Sequence, residues 1–127
     1  MPDQQAPRVA TVLVVDDDEA IREVLRWMLE SGGYRVLEAG DGRQALAKVR
    51  SEDIDLVLTD LIMPEQEGVE TIQVIRRKWP SIKVIAMSGA FGGEFLRIAK
   101  MLGAHGTLQK PLRAELVLRA VADALAA

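Results

Sequence analysis

The chain has 127 residues, 49% of them hydrophobic, which is room for one domain with a core that needs no cross-links. Its 16 Lys and Arg against 19 Asp and Glu leave a net charge of −3, and aromatics make up only 4%. That balance excludes a general attraction to nucleic acid or anionic membranes, and it excludes a base-stacking surface. The absence of Cys excludes disulfides and thiol chemistry, and a single His excludes a multi-histidine metal centre. No apolar run reaches the roughly 18 residues of a membrane span. Residues 1–8 are polar and carry no signal-peptide core. The expectation is a cytoplasmic domain over residues 8–127, preceded by a disordered tail over residues 1–7.

In chain order, Thr11 to Val15 reads TVLVV, an unbroken apolar run suited to a strand buried on both faces. Ile21, Val24, Leu25, Met28 and Leu29 then follow the spacing of an amphipathic helix, and Ser31-Gly32-Gly33 stops it. Tyr34 to Glu38 is more mixed and reads as an edge strand. Ala45, Leu46 and Val49 form a shorter helical face after Asp41-Gly42. Asp55 to Thr59 (DLVLT) is a third strand, followed by a helix with Val69, Ile72 and Ile75 inward and Trp79-Pro80 at its end. Lys83 to Met87 (KVIAM) is the fourth strand. Phe95, Ile98, Ala99 and Leu102 mark the fourth helix, ended by Gly103. Thr107 to Gln109 is a short fifth strand, and Val117, Ala120, Val121 and Ala124 mark the last helix. Trp27 and Trp79 read as rim packing, and Met28, Met87 and Met101 as core or helix-face residues. Strict alternation of strand and helix predicts an α/β fold, a doubly wound (βα)5 parallel sheet.

Ligands of open α/β sheets bind beyond the carboxyl ends of the strands. There the sequence puts Asp16, Asp17 and Asp18 after the first strand, Asp60 after the third, Ser88-Gly89 after the fourth and Lys110-Pro111 after the fifth. Converging carboxylates at about 4 Å repel by roughly 1–4 kcal/mol per pair. A hard divalent cation relieves that repulsion. A carboxylate nucleophile, a cation site, a hydroxyl and an ammonium together make a set that accepts a phosphoryl group. Asp18 reads instead as a helix N-cap, and His105 as an ordinary loop residue.

The segments VVDDDE, LVLTDLIMPEQEG, AMSGA and GTLQKPL resemble those of bacterial response-regulator receiver domains, in order and from Arg8 onward. The resemblance implies the flavodoxin-like strand order 2-1-3-4-5. It makes Asp60 the phosphoacceptor, and Asp16, Asp17, Asp60 and the Ile62 backbone carbonyl the ligands of Mg2+. Ser88 and Lys110 become the groups that meet the phosphoryl oxygens, with a cis Lys110–Pro111 peptide. It implies a histidine kinase or histidine phosphotransfer protein as donor and a state that is monomeric or a phosphorylation-dependent homodimer; because the sequence ends just after the fifth helical pattern, no output domain is expected. A downstream protein target would meet the fourth helix, fifth strand and fifth helix.

One position departs from the family pattern. Where many receivers carry Tyr or Phe three residues before the lysine, this chain has Thr107, so Phe91 and Phe95 are expected as substitutes in switching. Leu118 and Leu125 are expected to offer apolar surface to a partner. Ile62 and Ala90 cannot orient water, which predicts slow loss of the phosphoryl group. Two other readings compete. An Asp-nucleophile, Mg2+-dependent phosphohydrolase would want a second acid where Ile62 stands. A flavodoxin-like module binding a nucleotide or flavin would want a glycine-rich phosphate loop in place of Asp16-Asp17-Asp18-Glu19.

Overall fold

The computed structural model describes residues 8–61, 67–89 and 93–127. Among the described residues ten elements alternate. They are β1 (Thr11–Val15), α1 (Glu19–Ser31), β2 (Arg35–Ala39), α2 (Gly42–Ser51), β3 (Leu56–Asp60), α3 (Glu67–Lys78), β4 (Lys83–Ser88), α4 (Gly93–Met101), β5 (Gly106–Gln109) and α5 (Ala114–Ala126). The strands form one parallel sheet in the order β2-β1-β3-β4-β5. The expected strand order and the edge position of β2 therefore hold, with β2 and β3 shifted one residue along the chain, β4 ending one residue later and β5 starting one residue earlier than the pattern placed them.

The central strands are apolar throughout because both of their faces are covered. Alternation along β1 sends Leu13 and Val15 to one layer and Val12 and Val14 to the other. The first layer joins Val57, Val84 and Ala86 to Ala45 and Val49 of α2, Ile72 and Ile75 of α3 and Ala99 of α4. The second joins Leu56, Leu58, Ile85, Met87 and Leu108 to Leu25, Met28 and Leu29 of α1 and Val117, Val121 and Ala124 of α5. Asp18 caps α1 by accepting the Ala20 N–H, as expected, and Asp41 caps α2 by accepting the Gln44 N–H.

Several side chains depart from the helical-face reading. Val24 is 46% exposed and Trp27 is 70% exposed, so neither packs as expected. At about 100° per residue, Val24 lies at the edge of the Ile21–Leu25–Met28–Leu29 stripe and Trp27 nearly opposite it. Ile98 and Met101 of α4 also face outward, whereas Ala99 is fully buried. Among the described residues no helix is long and apolar enough to cross a membrane.

Candidate functional site

The strand order reverses between β1 and β3, and the site lies where their carboxyl ends stand side by side. Asp16 follows β1 and Asp60 ends β3; both are buried, whereas Asp17 is exposed. One oxygen of each of these three carboxylates lies within 4.8 Å of the other two. Burying carboxylates this close is unfavourable unless positive charge enters the cluster. Lys110, carried just beyond β5, supplies part of it. Its Nζ donates to Asp16 Oδ2 at 3.0 Å and to Asp60 Oδ2 at 3.3 Å. Burial works to lower the pKa of this ammonium, but the hydrogen bond to Asp16 and the charge of Asp60 outweigh it, and the net shift is upward. Lys110 therefore stays charged.

The backbone fixes these groups. The Asp16 N–H donates to the Ala39 carbonyl, and Asp16 Oδ1 accepts the Asp18 N–H at 2.9 Å. Ser88 ends β4, fully buried, and its carbonyl accepts the Lys110 N–H at 2.9 Å. The Lys110–Pro111 peptide is cis, as expected. Gly89 lets the Lys110 stem cross the end of β4, since a Cβ there would stand 3.2 Å from Lys110 Cβ.

Two residues of this neighbourhood escaped the sequence reading. Gly68, in the first turn of α3, lies so close to the backbone carbonyls of Asp60 and Leu61 that any Cβ would collide with both. Only glycine lets α3 start against the carboxyl end of β3. Its signal was a glycine inside a helical pattern. Arg22 of α1 reaches the Asp16 carbonyl, a bond with no motif to announce it.

The other expected residues are distributed more widely. Thr107 lines a groove of about 340 Å³ with Leu112, Leu116, Arg119 and Ala120, between β5 and α5. Leu118 and Leu125 do not face that groove. They are partly buried in the layer shared with α1, and Leu118 packs over Gly32. The apolar residue that α5 exposes beside the groove is Leu116, at 44%. Residues 1–7, Ile62, Ala90 and Phe91, and the side chain of Phe95, lie outside the described residues. His105 is structural: Nδ1 accepts the Val84 N–H at 3.0 Å, and its own N–H donates to the Val84 carbonyl at 2.7 Å.

Comparison with known proteins gives a consistent result. Residues 12–122 match the family described as "Response regulator receiver domain". The chain is 40% identical over 115 residues to the transcriptional regulatory protein ZraR of Klebsiella oxytoca, covering 91% of this chain and 26% of that protein. It is 33% identical over 125 residues to the CAI-1 autoinducer sensor kinase/phosphatase CqsS of Vibrio cholerae, covering 96% of this chain and 18% of that protein. The chain thus spans about a quarter or less of the length of these relatives. Among solved structures, the Vibrio cholerae chemotaxis protein CheY4 superimposes with a TM-score of 0.85 at 31% identity, over 92% of this chain and 99% of that one. A CheY-like receiver domain protein from Methanospirillum hungatei gives 0.86 at 29% identity, over 94% and 95%.

Proposed function

This chain belongs to the response regulator receiver domains, and from that premise we propose that Asp60 accepts a phosphoryl group with Mg2+ held by Asp16, Asp17, Asp60 and the Ile62 carbonyl. Receiver domains take phosphoryl groups from histidine kinases and act on downstream targets. The observation that carries the assignment to these residues is the convergence of three carboxylates within 4.8 Å, with Lys110 Nζ bridging Asp16 and Asp60.

The donor set fits a hard divalent cation: all oxygen, two buried carboxylates and one exposed toward water. When bound, the cation would neutralise charge on the incoming phosphoryl oxygens. The chain's own residues do the rest. An Asp60 carboxylate oxygen attacks phosphorus, an O–P bond forms, and the P–N bond of a phosphohistidine breaks with its electron pair returning to the imidazole. Lys110, already beside Asp60, turns its ammonium to the transferred oxygens. Ser88 at the adjoining strand end offers its hydroxyl.

The donor in this reading is a histidine kinase or a histidine phosphotransfer protein. Output passes to a downstream protein through α4, β5 and α5, where Thr107 and Leu116 border the groove, or through a phosphorylation-dependent homodimer. A cytoplasmic location belongs to the same reading. The test is intact mass after incubation with acetyl phosphate and Mg2+. The wild type gains one phosphoryl group; without Mg2+, or with Asp60→Asn, it gains none. A gain that survives in Asp60→Asn contradicts the assignment.

A further inference from the structure

Resting on the cation site just proposed, we infer that Arg22 is a positioning residue that sets the peptide joining Asp16 to Asp17, and through it the aim of the Asp17 carboxylate. Arg22 stands early in α1 with its side chain only 17% exposed. Its Nη1 donates to the Asp16 backbone carbonyl at 2.6 Å, and its Nε donates to Glu38 Oε1 on β2 at 3.0 Å. Glu38 is itself held from the other side, Oε2 accepting from Arg26 Nε at 2.6 Å. The Asp16 N–H is tied to Ala39, the residue after Glu38. Both main-chain groups of Asp16 are therefore anchored to β2, the N–H directly and the carbonyl through the Arg22 fork.

The two acids depend on this anchor unequally. The Asp16 carboxylate has its own restraints, the Asp18 N–H on Oδ1 and Lys110 on Oδ2. Asp17 is exposed, and the direction in which the chain leaves the Asp16 carbonyl decides where its carboxylate points. A planar guanidinium suits this task, because one rigid group donates in two directions at once.

Charge alone argues the opposite way. A guanidinium near a cation site repels the cation, so its removal should tighten binding. The sign of the effect separates geometry from charge. The probe is Mg2+ alone, titrated calorimetrically into the full chain, with thermal unfolding recorded for each variant. Arg22→Gln is expected to bind Mg2+ about tenfold more weakly than wild type, in line with residues that orient metal ligands. Arg22→Lys keeps the charge and loses the fork; it is expected to bind more weakly than wild type, which charge cannot explain. Arg26→Gln loosens Glu38 but leaves Arg22 on the Asp16 carbonyl, and is expected to weaken binding less than either Arg22 variant. Binding by both Arg22 variants as tight as wild type, or equal weakening by Arg26→Gln, overturns the inference. A wild type that binds no Mg2+ overturns the cation site itself, and this inference with it.

Discussion

At the amino end of the sheet, acids meet cations close to water. Asp55 accepts from Arg8 at 2.7 Å and from the Thr11 N–H at 2.8 Å, and Glu52 accepts from Arg35 at 3.3 Å. At the carboxyl end three carboxylates gather, Asp16 and Asp60 are buried, and the Lys110 ammonium reaches both. The same strands carry both ends, so the difference is not a matter of fold. One end places charge where folding tolerates it cheaply. The other gathers negative charge, which in the proposed reading costs stability until a cation balances it.

Removing the shared cation should expose that contrast most strongly. Lys110→Met leaves the buried carboxylates of Asp16 and Asp60 without this ammonium and is expected to cost about 2–3 kcal/mol in urea unfolding. Mg2+ should restore much of the loss; a variant as stable as wild type in chelator would break the comparison. Gly68→Ala should come next, at about 2 kcal/mol, because α3 must withdraw from the Asp60 and Leu61 carbonyls. Phosphorylation from acetyl phosphate should slow in that variant, since the displaced backbone carries Asp60.

A smaller effect belongs to the amino end and depends on pH. Burial, followed by the charges of Arg76 and Lys83, pushes the His105 pKa below its usual 6.5. The folded state thus prefers neutral imidazole, whose Nδ1 accepts the Val84 N–H. This contribution is fully present above the unfolded value of 6.5 and is lost as pH falls through the lowered folded value. His105→Asn offers an acceptor without titrating, so its unfolding midpoint should fall less steeply than that of wild type below pH 6.5. Equal slopes would remove His105 from the account. Smallest of all is Arg8→Ala, whose partner Asp55 keeps the Thr11 N–H. Its unfolding midpoint should match wild type within error.

The sheet, its order and the carboxylate cluster were legible because each has a local signature. Doubly buried strands read as apolar runs, and strand ends carry Asp16, Asp17, Asp60, Ser88 and Lys110 where the topology makes them meet. What periodicity could not tell was which neighbour a helix face would find. Leu118 and Leu125 have the spacing of a spare apolar face, yet α1 lies beside it, and Leu116 is the residue left exposed. Trp27 is large and apolar but lies opposite the buried stripe. Arg22 and Gly68 act on backbone atoms of residues outside their own helices. A long side chain reaching a carbonyl leaves no pattern in the sequence, and a hydrogen where a methyl would collide shows only as a glycine inside a helical pattern.

In the proposed reading the carboxyl end holds unfavourable charge which a cation relieves. That claim is tested most directly by urea unfolding of wild type and Asp60→Asn, each in chelator and in Mg2+. In chelator the Asn variant should be the more stable, by about 1 kcal/mol, because one repelling carboxylate is gone. Mg2+ should then stabilise the wild type more than the variant and narrow the gap. A wild type more stable than Asp60→Asn in chelator, with equal gains from Mg2+ in both, would contradict it.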